Sequence, residues 1–341
     1  MIPRFPNADY AAVVTSASGE IMRVIKRPKI EYDIRTLGQG GISDDGHLIF
    51  NSYFALYVSN LCGEMRLDLA KGDGKPFSLG KGVGFHHKSS TADGKLWTWY
   101  GNELRQYNLA DSSLQRQISL EQIIAANRQK GIFEARLIKS NLRNSVGQWQ
   151  YQDLKNGLKL KHISLHDPFH QNDVDVLSHS RAKLFSGYQA GDLLLSFRSI
   201  NLITILEPST LEVKWWHYGD FSRQHDPDWA LNGEITIYDN QSHDTASRII
   251  SIDPRTHRVK TLIKGEEWGF YQFAQGNHQL TDNDRVLFTN GNEMAHASNN
   301  RLDFYFKYEN KRGKALDIGN VYYLNEDQYQ LWESQCANNR K

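Results

Sequence analysis

The chain has 341 residues, which suits one closed repeat architecture or two modest domains. Its 40 basic and 39 acidic side chains nearly balance, which excludes a global electrostatic field that would recruit nucleic acid or acidic lipid. The many aromatic residues (16 Tyr, 15 Phe and 8 Trp) and the few prolines indicate packed sheets and not disorder. No apolar run approaches the roughly 18 residues that a membrane-spanning helix needs.

Neither the N-terminus nor the cysteines indicate a processed or disulfide-rich protein. The residues after Met1 include no apolar segment of the kind found in signal peptides, so we predict no signal sequence. Cys62 and Cys336 have no C-x-x-C spacing and lie near opposite ends of the chain, so they can pair only if the ends meet in space. We therefore predict no disulfide framework.

A recurrent strand–turn–strand phrase is the strongest sign of organisation in the chain. It occurs five times: GQGGISDDGHLIF from Gly38, HHKSSTADGKLWTW from His86, HQNDVDVL from His170 with GDLLLSF from Gly191, HDPDWALNGEITIY from His225, and GNHQLTDNDRVLF from Gly276. Three copies contain an Asp-Gly or Asn-Gly turn, the strongest short signal for a β-hairpin. A run rich in β-branched and aromatic residues follows each of these turns, as expected for a strand.

The spacing of the copies predicts a β-propeller. Their first residues lie 48, 84, 55 and 51 positions apart, and about fifty residues is the length of a four-stranded propeller blade. The 84-residue gap holds either a degenerate blade or a decorated loop, and the third copy carries an insertion from Ser178 to Ala190. We therefore predict an all-β propeller of four-stranded antiparallel blades, with residues 1–341 in one domain.

One segment inside the long gap has a helical pattern. SLEQIIAANRQK, from Ser119 to Lys130, begins with a Ser-x-x-Gln capping signal and continues with apolar residues at helical spacing. We predict that it forms the main helix of the chain, outside the central channel. Leu120, Ile123 and Ile124 would then pack on a blade.

Repeat position selects a group of polar residues for the centre of the propeller. The innermost strand of each blade lies along the axis, so residues that open three of the copies should converge there: His86, His170 and His225. Asn172 lies two positions after His170 and therefore faces the same way on a strand.

Counting along the repeat from the turn glycine selects two more residues for the centre of the propeller. Arg198 and Asn240 both lie seven positions after the turn glycine of their copies, which gives them corresponding places in neighbouring blades. The alternation of side chains along a strand predicts that His87 points away from the axis. A single histidine is more commonly a structural or surface residue than a catalytic one, but three at one repeat position favour a shared site.

The predicted group is rich in hydrogen-bond donors and has no obvious carboxylate base. Imidazoles, a guanidinium and amides suit an anion with phosphate- or sulfate-like oxygens, and a neutral histidine can itself be a nucleophile. Three histidines could alternatively bind zinc or copper. A guanidinium beside a metal cation is electrostatically unfavourable, so we predict no metal and no cofactor. A non-catalytic propeller that binds an anionic ligand or a protein partner is a further alternative.

Four phrases resemble the bacterial arylsulfotransferases that use no nucleotide sulfate donor. They are HDPFHQNDVDVL, GDLLLSFRSINLITILEP, WWHYGDFSRQHDPDWALNGEITIYDN and SRIISIDP, and the resemblance is densest from His166 to Pro254. It implies a six-bladed propeller that moves a sulfuryl group from a phenolic sulfate ester to a phenolic acceptor, with the group carried as a sulfohistidine. The implied partners are small molecules, an aryl sulfate and a phenol, with no nucleic acid and no membrane span.

The resemblance assigns catalytic roles residue by residue. The nucleophilic histidine of the family follows a glutamine, a pattern that Gln224 and His225 match. The family's His-x-Asn pair matches His170 and Asn172, and its arginine matches Arg198. These last three residues would stabilise the charge that develops on the sulfuryl oxygens.

The remaining assignments concern the proton and the substrate. A histidine from an earlier blade matches His86, with His87 as the second choice. His86 or His170 would protonate the leaving phenolate and later deprotonate the acceptor phenol. We expect Asn240, Gln224 and His87 to contact the substrate.

The chain departs from the family at its ends. Family members are typically exported and often carry an additional N-terminal domain, whereas this sequence shows neither a signal nor such a domain. A closed propeller needs its first and last strands in neighbouring or shared blades. We therefore expect the strand near Ala11 to Arg23 to lie close to the strands around Leu302 to Tyr308.

Overall fold

The computed structural model describes sixteen segments of the chain. They are residues 2–3, 10–15, 21–26, 41–51, 56–69, 84–85, 87–133, 169–243, 246–272, 276–282, 284–290, 293–298, 301–307, 318–320, 322–324 and 326–336. The first described strands are β1 (Ile2–Pro3), β2 (Tyr10–Thr15) and β3 (Ile21–Lys26). None of the described helices has the length and the apolar character needed to cross a membrane.

Five four-stranded antiparallel sheets follow, and in each of them the strands pair in chain order. Blade I holds β4 to β7: Gly41–Ile42, His47–Asn51, Leu56–Asn60 and Met65–Asp68. Blade II holds β8 to β11: Ser90–Ala92, Lys95–Tyr100, Glu103–Asn108 and Leu114–Ser119. Blade III holds β12 to β15: Gln171–Val176, Leu193–Phe197, Leu202–Glu207 and Glu212–Tyr218. Blade IV holds β16 to β19: His225–Trp229, Ile235–His243, Ala246–Ile252 and Val259–Lys264. Blade V holds β20 to β23: His278–Asp282, Arg285–Asn290, Glu293–Ser298 and Arg301–Lys307.

The predicted hairpin turns are confirmed between the first two strands of blades I, II and IV. Gly46, Gly94 and Gly233 have φ values of 76°, 72° and 79°, a left-handed conformation that glycine adopts without steric cost. The insertion in the third copy contains the short helix His179–Ala182, and Gly191 then leads back into the blade with a φ of 91°. The repeat in the turns therefore corresponds to one hairpin per blade.

The prediction of six blades is wrong, because the described residues form five four-stranded blades. Blades II and III are neighbours: the indole Nε1 of Trp99 donates to the backbone oxygen of Asp173 at 3.1 Å, and the rings of Trp99 and Phe197 lie 6.2 Å apart. No blade fits between sheets in such contact. Residues 134–168, which we expected to form a degenerate blade or a decorated loop, lie outside the described residues.

The other four strands form two separate two-stranded sheets at the closure of the ring. β2 pairs with β3, and β1 pairs with β24 (Ile318–Asn320). The ends of the chain therefore meet, but through other strands than expected: β1 pairs with β24, β2 and β3 pair with each other, and β23 is the outer strand of blade V. Just after β24, Tyr323 exchanges two hydrogen bonds with the side chain of Gln279 on the first strand of blade V.

A disulfide joins Cys62 in blade I to Cys336, the last residue of the helix Glu326–Cys336. Trp332 of the same helix and Ile25 of β3 are buried in one apolar cluster with Leu61 of blade I. The sequence indicated no disulfide framework but left this one pair open if the two ends of the chain met, and that condition is fulfilled.

The helix predicted from Ser119 is confirmed as Leu120–Ala126, followed by a 3-10 turn at Arg128–Lys130. Ser119 and Gln122 form the reciprocal capping box, and the helix buries its apolar residues in the core that blades II and III share. It is not the main helix, because the C-terminal one is longer, with 11 residues against seven.

The first strands of blades II to V lie toward the axis and carry buried polar groups, whereas the second strand of blade III is almost entirely apolar. All five side chains of Leu193–Phe197 are buried, and four of them are apolar. On the first strands, Ser90, Asp173, Asp226 and His278 are buried instead. Because buried polar groups need partners, the first strands hold a network of hydrogen bonds and ion pairs along the axis.

Candidate active site

Three histidines from three consecutive blades meet at one end of the channel. His87 precedes the first strand of blade II, His170 precedes that of blade III, and His225 opens that of blade IV. The ring of His87 lies 4.8 Å from that of His170 and 5.9 Å from that of His225, measured between centroids. His86, which we expected in this group, lies outside the described residues.

His87 faces the other two histidines, so the expectation that it points away from the axis is wrong. Strand alternation does not apply at this residue, because its φ is 64° and it lies outside the strand. The hairpin turn of blade II is also one residue shorter than that of blade IV. Two residues separate the paired Ala92 and Lys95, whereas three separate Ala230 and Glu234. Counting back from the turn glycine therefore selects His86 where the structure has His87.

The imidazole of His225 is held in one tautomer. Its Nδ1 lies 2.7 Å from the side-chain oxygen of Asn240 and 3.1 Å from the backbone oxygen of Arg223, and both can only accept. The amide of Asn240 is oriented in turn, because its nitrogen donates to the backbone oxygen of Gln272 at 2.9 Å. Nδ1 of His225 therefore carries the proton, and Nε2 carries the lone pair.

The same imidazole is kept uncharged. His225 is 1% exposed. Burial, together with the positive charge of Arg198, lowers the pKa of His225 to about 3, although the hydrogen bond to Asn240 acts in the opposite direction. Both causes act in the same direction, because burial and a like charge each disfavour the imidazolium. At neutral pH the residue is therefore an uncharged imidazole, the form in which a histidine can act as a nucleophile.

Arg198 and His170 form the donor-rich side of the site. The guanidinium Nη1 of Arg198 lies 3.0 Å from Nε2 of His170, and Nε2 of His87 lies 2.9 Å from that same nitrogen. Arginine can only donate, so Nε2 of His170 accepts and Nε2 of His87 is the donor toward it. All three side chains are partly exposed, so they form an accessible rim beside the buried His225.

Asn172 and Gln224 lie in the supporting structure behind this rim. The amide nitrogen of Asn172 donates to the backbone oxygen of Gln224 at 2.8 Å, which ties blade III to the residue before His225. The side chain of Gln224 is fully buried and donates to Ser196 and to the backbone of Leu202. These contacts direct the Gln224 amide nitrogen into blade III and away from the exposed rim.

Left-handed backbone conformations cluster around the histidines. His87, His170, Arg223 and Asp226 have φ values of 64°, 46°, 54° and 53°. Non-glycine residues adopt this region at a cost and persist there only where the surroundings hold them, which is frequent at functional sites. No residue type in the sequence predicts this strain, because none of the four is a glycine.

Below the histidines lies a charged cluster that the sequence analysis missed. The ammonium of Lys88 is 2.6 Å from a carboxylate oxygen of Asp226 and 2.6 Å from one of Asp228. Asp226 and Asp228, with His278, are also the described residues grouped closely enough to hold a metal ion. Because the ammonium already lies between the two carboxylates, the cluster has its cation within the chain.

The donors and charges of the rim suit an anion with several oxygens beside a histidine base. A metal bound through Nε2 of His170 would have to lie next to the guanidinium of Arg198, which contacts that same nitrogen. This contact disfavours a ring of metal-binding histidines and suits the anion interpretation.

Comparison with known proteins adds a family and a fold. A model of the family described as arylsulfotransferase (ASST) matches residues 79–301. No curated protein matches the chain. Among solved structures, the chain is similar to a protein of unknown function from Bacteroides caccae, with 8% identity, a TM-score of 0.54, and 93% of this chain and 95% of that one covered. It is also similar to virginiamycin B lyase from Staphylococcus aureus, with 10% identity, a TM-score of 0.41, and 81% and 70% covered. At such identities the first likeness shows the fold alone, and the second carries no argument.

Proposed function

The chain belongs to the arylsulfotransferase (ASST) family, and from that premise we propose that it transfers a sulfuryl group from an aryl sulfate to a phenolic acceptor through a sulfohistidine on His225. The observation that carries the proposal is the state of this imidazole. Its Nδ1 is engaged by Asn240, its pKa is lowered to about 3, and Arg198 contacts the neighbouring His170. The proposed donor and acceptor are small molecules, and the proposed reaction uses no nucleotide.

In the first half-reaction, the lone pair on Nε2 of His225 attacks the sulfur of the aryl sulfate. An N–S bond forms while the S–O bond to the aromatic ring breaks, and the leaving phenolate takes a proton to become a phenol. In this proposal His87 acts as an imidazolium: it gives the proton of Nε2, the atom that lies 2.9 Å from His170, and is left as a neutral imidazole. The products are a phenol and the sulfohistidine.

In the second half-reaction, an acceptor phenol occupies the place of the first phenol. The neutral imidazole of His87 takes the proton of the acceptor phenol while the phenol oxygen attacks the sulfur. The N–S bond breaks, and its electron pair returns to Nε2 of His225. The enzyme is restored in its starting protonation state, so no external acid, base or cofactor is consumed.

Arg198 and His170 stabilise the negative charge on the sulfuryl oxygens during both steps. A fixed donor aimed at charge that develops in the transition state contributes about 3 kcal/mol. Asn172 and Asn240 act through His225 and not on the sulfuryl group. Asn172 holds the backbone before His225, and Asn240 holds the His225 ring. In this proposal Asn240 and Gln224 are positioning residues, in place of the substrate contacts expected from the sequence.

The test is incubation of the purified protein with a chromogenic aryl sulfate and a phenol, with no nucleotide added. We expect release of the coloured phenol, sulfation of the acceptor and, with the acceptor omitted, a gain of one SO3 group on the protein by mass spectrometry. His225→Ala should lose all three. His296→Ala is a matched control, because His296 is also buried but lies on the third strand of blade V, with Thr281 and Asp303 as partners.

Two results would contradict the proposal. Turnover by His225→Ala at the wild-type rate would remove this histidine from the chemistry. Binding of the aryl sulfate to the wild type without any transfer would instead favour a non-catalytic propeller that recognises anions.

A further inference from the structure

The charged cluster below the histidines is built from the residues that follow them in the chain. Lys88 comes directly after His87, and Asp226 comes directly after His225. Their side chains meet across the channel with 2.6 Å between Nζ and Oδ1 and are 8% and 3% exposed. One buried ion pair therefore connects the two backbone segments that carry the interacting histidine rings.

Asp226 is held on both of its carboxylate oxygens. While Oδ1 accepts from Lys88, Oδ2 accepts from the backbone N–H of His278 at 2.7 Å and from the side-chain nitrogen of Asn277 at 3.1 Å. His278 and Asn277 belong to blade V or immediately precede it. Asp226 thus joins blades II, IV and V at one point.

Lys88 supplies the positive charge that balances the carboxylates of the cluster. Burial by itself would lower the pKa of Lys88, but the carboxylates of Asp226 and Asp228 outweigh that effect and hold the pKa well above its ordinary value. Burial raises the pKa of Asp228 to about 6. Burial also raises the pKa of the fully buried Asp173 well above its ordinary value. The lysine therefore stays charged at neutral pH, and removing it would leave carboxylates facing one another in a buried space.

The backbone next to this ion pair is strained. His87, which precedes Lys88, and Asp226 itself both have left-handed φ values, 64° and 53°. Residues with a β-carbon stay in that region only when surrounding contacts fix them. The ion pair supplies such a contact to both segments at once, and the ring centroids of His87 and His225 lie 5.9 Å apart just above it.

We propose that Lys88 is a positioning residue, whose ion pair with Asp226 sets the relative placement of His87 and His225 across the channel. The placement itself does not depend on the reaction, whereas its effect on rate rests on the proposed function. Loss of the ion pair lets both left-handed segments relax, so the proton donor and the nucleophile no longer face one substrate.

The experiment compares Lys88→Met with Lys214→Met. Lys214 also makes an ion pair to a buried carboxylate, that of Asp192 at 3.0 Å, but on the outer strand of blade III. For Lys88→Met we expect altered imidazole signals of His87 and His225 in NMR spectra of histidine-labelled protein. We also expect a loss of about 100-fold in kcat, the scale of a displacement of about 1 Å, with little change in KM. Lys214→Met should leave both properties as in the wild type.

Three further variants keep the test decisive if Lys88→Met does not fold. Asp226→Asn retains the shape of the side chain and breaks the ion pair, so it should reproduce the altered histidine signals and the loss of kcat. Asp228→Asn leaves the pair with Asp226 in place and should have a smaller effect. Lys88→Arg, which keeps the charge, should recover part of the rate.

Unchanged histidine signals in folded Lys88→Met, or in folded Asp226→Asn, would overturn the proposal. So would an equal loss of kcat in Lys214→Met, which would indicate a general effect of losing a buried ion pair. The NMR comparison needs no turnover. If the wild type transfers no sulfuryl group, the proposed function fails while the role of Lys88 is still decided by the histidine signals.

Discussion

The histidine end of the channel and the closure of the ring are held together in opposite ways. Around His225 the contacts are directional: hydrogen bonds to Asn240 and Arg223, and the ion pair between Lys88 and Asp226 just below. At the closure, an apolar cluster and the disulfide of Cys336 join the terminal helix to blade I. Directional contacts fix angles and protonation, whereas apolar packing and a covalent bond mainly add stability.

This difference predicts that mutations can change the rate of sulfuryl transfer and the thermal stability separately. Changes at the histidine end should lower the rate of sulfuryl transfer and leave thermal stability nearly intact. Changes at the closure should lower stability and leave the rate of the folded enzyme nearly intact. A variant that behaves in the opposite way would break the comparison.

The largest expected effect is on rate, from Arg198→Lys. A lysine keeps the charge but cannot reproduce the planar set of donors that a guanidinium offers to sulfuryl oxygens. We expect kcat/KM for the aryl sulfate to fall about 100- to 1,000-fold, the scale of losing one transition-state donor, and the melting temperature to stay within a few degrees. Wild-type kinetics in Arg198→Lys would show that a point charge suffices.

Next is the combined variant Cys62→Ser, Cys336→Ser, which tests the closure. Removal of a disulfide that closes a long loop costs about 2–4 kcal/mol of unfolding free energy, which chemical denaturation can measure. At a temperature where the variant is folded, kcat should equal that of the wild type. A lowered kcat with unchanged stability would show that the closure also acts on the histidine end.

A smaller loss of rate is expected from Asn240→Ala. Without the amide oxygen, Nδ1 of His225 loses its 2.7 Å partner, and the imidazole populates the tautomer in which Nε2 carries the proton. We expect kcat to fall about tenfold, equivalent to about 1.4 kcal/mol. The ¹⁵N shifts of the ring report the tautomer, and an unchanged tautomer would mean that the backbone oxygen of Arg223 is sufficient.

The smallest expected effect is a flat pH dependence of rate. Because the pKa of His225 is lowered to about 3, the nucleophile stays unprotonated as the pH falls from 7 to 5, and its sulfation should not slow. Stability, unlike the rate, does depend on pH. The imidazole of the unfolded chain binds a proton with its ordinary pKa of 6.5, whereas that of the folded chain stays unprotonated until about pH 3. The contribution of His225 to stability is therefore lost as the pH falls from 6.5 toward 3.

Two measurements check this prediction. Single-turnover sulfation should be constant between pH 7 and pH 5, and a drop near pH 6.5 would show an imidazole with an ordinary pKa. The melting temperature of the wild type should decline more steeply over that range than the melting temperature of His225→Gln, which lacks the titrating group.

The sequence predicts those features that short segments encode. Turn residues such as Asn232-Gly233 locate the hairpins, and the pattern from Ser119 locates a capped helix, because both depend on neighbours within a few residues. The resemblance selected His170, Arg198 and His225, which the fold brings to one end of the channel.

What the sequence does not predict depends on contacts between distant residues. Lys88 and Asp226 are 138 positions apart, and no local pattern links them. Strand alternation predicted that His87 points away from the axis, and this rule fails where the backbone becomes left-handed. The sixth blade was expected from the resemblance, whereas blade count depends on how sheets pack, as in the direct contact between Trp99 and Asp173.

The disulfide between Cys62 and Cys336 also turns most of the chain into a covalent circle. The two cysteines are 274 positions apart, and blades II to V lie between them. A protease that cuts one surface loop in this interval would leave two fragments that stay linked until the disulfide is reduced. On a non-reducing gel such a nicked protein would run as one species, and the propeller could keep its sheets assembled around the cut.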